Sequence, residues 1–148
     1  MKSTFNKATF WAQAAALTTF SLAASAAELV VSVDSIKNDE GHLMAQLFAG
    51  EENYNQGKAH ASLMVAAKQG VGQLTFTDLA PGEYVVRMFH DENNNQQMDA
   101  NAFGMPTEGY GFSNQAVGNM GPPQYRDMVV EITTAEEQAT TVALMVYL

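Results

Sequence analysis

The sequence predicts an all-β protein: a single antiparallel β-sandwich of about seven strands with one long ordered loop. Three observations predict it. Apolar residues recur at every second position in short runs, the pattern of strands with one buried face. Clusters of Gly, Pro, Asn and Asp separate these runs at short intervals. Beyond its first residues the chain sustains no helical period over three turns. Packing has to hold such a fold together, because the 148 residues include no cysteine and so no disulfide.

The chain opens on Lys2 and Lys7, an apolar stretch from Ala8 to Ala24, and the small-x-small sequence Ala24-Ser25-Ala26. This reads as a secretory signal peptide, residues 1–26, cleaved after Ala26. Thr9, Gln13, Thr18, Thr19 and Ser21 break the stretch, and it is too short to span a bilayer comfortably. A periplasmic or secreted protein, with no membrane insertion after cleavage, is the expectation. Losing residues 1–26 removes two lysines and no acid, which moves the formal charge from −9 to −11. A chain so acidic lacks the basic patches that nucleic acid or an anionic membrane surface requires. What remains, residues 27–148, fits one domain with a core of its own.

The first two strands are read from Leu29 to Val33 and from Leu43 to Phe48. Leu29, Val31 and Val33 share one face, Leu43, Ala45 and Leu47 another, and the turn Lys37-Asn38-Asp39-Glu40-Gly41 joins them as a hairpin. Gly50 to Gly57 is a polar loop. Ala59 to Ala67 is read as a strand, because Leu63 and Val65 alternate with Ser62 and Met64. In the fourth strand Leu74 and Phe76 point inward while Gln73, Thr75 and Thr77 face water. Pro81-Gly82 turns the chain into a fifth strand, with Tyr84, Val86 and Met88 on one face and Arg87 on the other. Two more strands are expected, around Met128 to Ile132 and from Thr140 to Tyr147; in the last, Val142, Leu144 and Val146 share a face.

Between the fifth strand and these two lies a stretch, residues 91–126, in which no strand is evident. It holds Phe103, Met105, Tyr110, Phe112 and Tyr125, too aromatic for a disordered linker, so an ordered loop at one end of the sandwich is expected. It begins with an oxygen-rich turn. Asp91, Asn93, Asn95 and Asp99 follow the spacing D-x-N-x-N-x-x-x-D, and Gln97 would offer its backbone carbonyl. Alternate side chains of a tightly curled loop converge, and Ca²⁺ takes six to eight oxygens from carboxylates, amides, carbonyls and water. These five residues are therefore the candidate metal ligands and Ca²⁺ the candidate cofactor. No glycine stands at Gln96 and no carboxylate at Ala102, so binding would be weak unless Glu92 or Glu108 folds back. The competing structural reading is that Asn and Asp cap their own backbone in turns.

Two resemblances add to this. Asp78-Leu79-Ala80-Pro81-Gly82-Glu83-Tyr84 is similar to the turn and strand of immunoglobulin-like and prealbumin-like modules, which implies that class of sandwich. The run Phe89-His90-Asp91-Glu92-Asn93, then Asn95, Asp99 and Asn101, then Gly104-Met105-Pro106-Thr107-Glu108-Gly109-Tyr110-Gly111-Phe112-Ser113-Asn114, strongly resembles a bacterial secreted family, domain of unknown function 2141. The resemblance implies a small exported β-rich protein without an established activity, so it carries no catalytic residues. It also shows where this sequence departs: Asn94 and Gln96 stand where the family usually has glycine.

The residues around the turn have two uses each. Gly109 and Gly111 beside Tyr110 and Phe112 would make a ligand platform for sugars or peptides, or fold back so that the rings cap the core; the second is expected. His90 shares the parity of Tyr84, Val86 and Met88, which predicts a ring hydrogen-bonded at the inner end of a strand. Nothing in the spacing of His90, Asp91, Glu108 and Ser113 demands catalysis. Met98, Met105 and Met120 are too scattered for a copper site and are read as packing. The functional expectation is a Ca-stabilised binding or interaction module of the cell envelope, its partner a protein or glycan. The alternative is a metal-dependent hydrolase using the same loop.

Overall fold

Burying Leu29, Val31 and Val33 on one side of an extended chain gives the first strand, β1 (Ala27–Ile36), in the computed structural model, which describes residues 26–119 and 121–148. The expected signal peptide, apart from Ala26, lies outside the described residues, as does Met120. Then come β2 (His42–Ala49), α1 (Glu51–Asn55), β3 (Ala61–Ala66), β4 (Gly70–Leu79), β5 (Gly82–Asp91), β6 (Tyr110–Phe112), α2 (Tyr125–Met128), β7 (Val130–Ile132) and β8 (Gln138–Leu144). The protein is mostly β, as the period-two runs predict. Among the described residues no helix is long and apolar enough to cross a membrane.

The strands form two sheets. One has the order β4-β1-β8, the other β3-β2-β5-β6, with β7 also pairing to β5. Leu29, Val31 and Phe76 of the first sheet share one core with Leu47, Val86 and Met88 of the second, so the two are packed face to face. A second, smaller cluster lies outside the five-stranded sheet, where Phe48, Val85 and Met128 pack with Tyr54 of α1 and Tyr125 of α2.

Five expectations are corrected. β1 and β2 do not pair as a hairpin: they lie in different sheets, and the turn from Lys37 to Gly41 carries the chain from one sheet to the other. The sandwich is not wholly antiparallel: β1 and β8 run parallel, Leu29 beside Ala139 and Val33 beside Ala143. Strands reached by crossing between sheets, unlike hairpin partners, need not alternate in direction. That register also decides the face of β8. Neighbours in a sheet share a face, so Ala139, Thr141 and Ala143 point inward beside Leu29, Val31 and Val33, while Val142, Leu144 and Val146 are only half-buried. Gly50 to Gly57 is not simply a loop: α1 forms there, with Glu51 and Glu52 in the first turn, where carboxylates suit the helix dipole, and Asn53 Nδ2 donating to the Ala49 carbonyl at 2.6 Å. Residues 91–126 contain structure. β6 pairs Tyr110 with Phe89 and Phe112 with Arg87, and α2 begins at Tyr125.

Candidate functional site

The long excursion leaves the sheet where β5 runs out, and its first turn is built on two buried carboxylates. Asp91, 1% exposed, accepts the Asn95 N–H at Oδ1 (3.1 Å) and the Gln96 N–H at Oδ2 (2.8 Å). Curling the chain that tightly needs left-handed backbone, and Asn94 and Gln96 both stand at φ 62°. These are the two positions without the expected glycine. The turn therefore keeps its shape with L side chains in the left-handed region, where only Asn is at ease.

Glu108 is the second anchor, 5% exposed. It does fold back, and each of its oxygens takes a backbone donor: Oε1 the Glu92 N–H at 3.1 Å, Oε2 the Asp99 N–H at 3.1 Å. One carboxylate thus ties both ends of the turn to the segment entering β6.

The exposed part of the turn gathers around Asp99. Asn93 Nδ2 donates to its Oδ2 at 2.6 Å, and Asn95 Nδ2 donates to Oδ1 and Oδ2 at 3.0 and 3.1 Å. Asn93 Oδ1 and Asn95 Oδ1 cap the backbone, accepting N–H groups of Asn95 and Gln97. Of the five predicted ligands, Asn93, Asn95 and Asp99 are brought side chain to side chain, Asp91 joins them through the Asn95 N–H, and Gln97 takes part through its backbone with its side chain exposed. Among the described residues no three His, Cys, Asp or Glu side chains converge as a metal site by themselves.

The second half of the excursion differs from expectation. Tyr110 and Phe112 do not cap the main core. They sit half-buried on the outer face of the sheet, rings edge to face at 6.2 Å. Met98 and Met105, read as packing, are 39% and 49% exposed.

A family model described as an uncharacterized protein conserved in bacteria, DUF2141, matches residues 31–140. The chain belongs to this family. No curated protein and no solved structure matches it. The DUF2141 match begins within β1 and ends within β8, so it takes in both sheets, the turn and the whole excursion.

His90 lies beside the DUF2141 turn, fully buried, and both ring nitrogens are engaged. The Glu40 carbonyl accepts from Nε2 at 2.6 Å, which leaves Nδ1 to accept the Tyr147 O–H at 2.8 Å. The Tyr147 oxygen in turn accepts the Lys37 N–H at 3.1 Å. Gly109 is what lets Tyr147 in: a Cβ there would lie 2.3 Å from its ring. The histidine is thus a structural pin between the β1–β2 turn, β5 and the C-terminal segment, its ring hydrogen-bonded at the inner end of a strand as the parity predicts.

Burial pushes the Tyr147 phenol above its ordinary value of 10.0, with Glu92 adding to the rise and the Lys37 N–H opposing it. Tyr54, Tyr84 and Tyr125 shift the same way, burial first in each. The sign follows directly. Above about pH 10 unfolded tyrosines release protons that the folded ones keep, the unfolded state binds fewer protons, and stability is lost as pH rises. Urea midpoints should therefore hold steady up to about pH 9 and fall beyond pH 10; a midpoint that stays level or climbs there would contradict these burials.

Sequence reasoning named Glu108 only conditionally and gave Asn101 only as part of the family resemblance, without its capping role: its Oδ1 accepts the N–H groups of Phe103 and Met105 at 2.9 and 3.1 Å. The available signal was spacing: an Asn two positions before an exposed apolar residue is a turn-capping pattern.

Proposed function

We propose that this protein is an exported cell-envelope module, periplasmic or secreted through its N-terminal segment, whose oxygen-rich turn takes up Ca²⁺. The ion would fix the excursion as a surface for a protein or glycan partner. The observation that carries this is a charge imbalance. Asp91, Glu92 and Asp99 belong to the turn and Glu108 is bonded to its backbone, and the ammonium that reaches this group is Lys37, 3.5 Å from Glu92. Four acids with one ammonium beside them leave the turn an excess of negative charge, which attracts a cation.

The donor set fits calcium with limits. Asp91 and Asp99 would supply carboxylate oxygens, and Asn93 and Asn95 amide oxygens once each amide turns its Oδ1 rather than its Nδ2 toward Asp99. Gln97 would add its backbone carbonyl. Few carboxylates mean weak binding, with a Kd of order 10⁻³ M as in extracellular modules. The hydrolase alternative gains nothing from His90, which has neither an exposed edge nor a free nitrogen. Of the two sandwich types, the prealbumin-like one is favoured. Immunoglobulin constant domains join their first, second, fifth and fourth strands in one sheet, whereas here β2 and β5 share a sheet that excludes β1 and β4.

Thermal melting tests the cation. At roughly ten times a Kd of about 1 mM, calcium should stabilise the fold by about 1.4 kcal/mol over chelator, a rise of roughly 4 to 6 °C in Tm. An unchanged Tm at about 10 mM calcium would count against the proposal.

A further inference from the structure

The outer face of the five-stranded sheet is apolar where a face turned to water would be polar. The strand register aligns Met64, Met44, Phe89 and Tyr110 in one cross-strand row and Ser62, Gln46, Arg87 and Phe112 in the next. One end of this face is covered, where α1 and α2 pack over Phe48 and Val85. Beside it lies an open groove of about 850 Å³, lined also by Met98, Met105 and Leu148.

Arg87 is the charged residue of that lining. Its Nε and Nη2 both donate to Gln46 Oε1, at 2.9 and 2.8 Å, and its guanidinium carbon stands 4.8 Å from the centre of the Phe48 ring. Among the described residues no carboxylate lies within ion-pair distance of it, and Nη1 has no acceptor. In a chain of formal charge −9, a half-buried guanidinium is thus held in a fixed orientation on an apolar floor, with no ion-pair partner among the described residues.

We propose that this groove binds a single-chain fatty acid, its carboxylate on Arg87 and its acyl chain over Met44, Phe89 and Tyr110. A guanidinium fork matches a carboxylate in geometry and charge. Unbranched thioethers such as Met44, Met98 and Met105 adapt to a flexible chain, and the volume lies in the range of small-molecule sites. A peptide strand suits the groove poorly, because the floor is the face of a sheet and offers no unpaired ladder to extend. So does a sugar: Gln46 is already committed to Arg87, and most hydroxyls would go unpaired. The site does not need the cation, since Arg87, Met44 and Phe89 stand on β2 and β5, and Tyr110 and Phe112, though part of the excursion, are held in β6 by pairing with β5; Met98 and Met105 come from its loops.

The test is a titration of the full chain with dodecanoate and, in parallel, dodecanol, both below aggregation, read by displacement of a fluorescent fatty acid. Chelator throughout keeps the outcome separate from calcium binding. Dodecanoate should saturate a single site, with dodecanol weaker by about tenfold or more. Arg87→Gln should weaken dodecanoate by a similar factor and leave dodecanol unchanged. Met105→Glu, at an exposed position that the fold tolerates, should weaken both and so reads the groove even if the Arg87 variant misfolds. Equal affinity for acid and alcohol, no saturable binding of dodecanoate, or full affinity in both variants would overturn the proposal.

Discussion

Replacing Asp91 with alanine lowers stability by about 3 kcal/mol, and does so in chelator as well as in calcium. The expectation comes from where the carboxylate sits. It is buried at the end of β5 and accepts two backbone N–H groups of the turn, from Asn95 and Gln96, at 3.1 and 2.8 Å. Bonds to a charged acceptor are worth about 1.5–3 kcal/mol each, and part of that returns when the freed N–H groups of an exposed turn meet water. For a domain of this size the loss corresponds to a fall of roughly 10 °C in Tm. Asp91→Asn should fall between, since an amide can accept one of the two N–H groups but presents a donor to the other. Asn93→Ala, on an exposed side chain, should cost less than about 1 kcal/mol. Chemical denaturation of the three variants measures this series. Equal effects at Asp91 and Asn93 would mean that the turn is not hung on the buried carboxylate.

A comparable loss, about 4 kcal/mol, is expected from Gly41→Ala. Gly41 ends the turn between β1 and β2 at φ 65°, and a Cβ added there would lie 1.8 Å from the Asp91 carbonyl oxygen. That oxygen belongs to the backbone of β5 and cannot swing aside as a flexible side chain would. Relief requires the turn to part from the strand that carries Asp91, next to the His90 bond to the Glu40 carbonyl. Gly57→Ala is the matched control: its φ is 67°, but nothing lies within 4 Å of the added carbon. It should show only the left-handed cost, about 1 to 2 kcal/mol. Urea unfolding of the pair separates the two contributions, and similar losses at Gly41 and Gly57 would remove the close approach from the account.

The frame of this fold is legible in the sequence where one parity is apolar and the other polar. Leu29, Val31 and Val33, or Leu74 and Phe76, leave no choice of inward face, and they are buried as predicted. Where both parities are apolar the choice passes to the partner strand. In Thr140 to Val146 either set could have turned inward, and the parallel pairing with β1 selects Thr141 and Ala143. Arg87 lies on the face of β5 opposite Tyr84, Val86 and Met88, as expected, and Val85 and Phe89 on that same side signal that it is not simply wet. β6 escaped notice because three residues centred on Gly111 have no periodicity to detect.

The site was legible in part for a different reason. Side-chain oxygens at alternate positions announce a curled turn, and the turn is there. What they bind within it is mostly backbone N–H, and backbone donors are the same for every sequence, so the roles of Asp91 and Glu108 as anchors could not be read from residue types. The missing glycines at Asn94 and Gln96 proved compatible with the same left-handed backbone.

Calorimetric titration with Ca²⁺ goes most directly to the claim that the turn is a cation site. The wild-type protein should take up one ion with a Kd of order 10⁻³ M, and Asp99→Asn, which removes the half-buried carboxylate around which Asn93 and Asn95 gather, should abolish the uptake while the chain stays folded. Saturable uptake that is the same in wild type and in Asp99→Asn, or no uptake by the wild type at about 10 mM calcium, would contradict it.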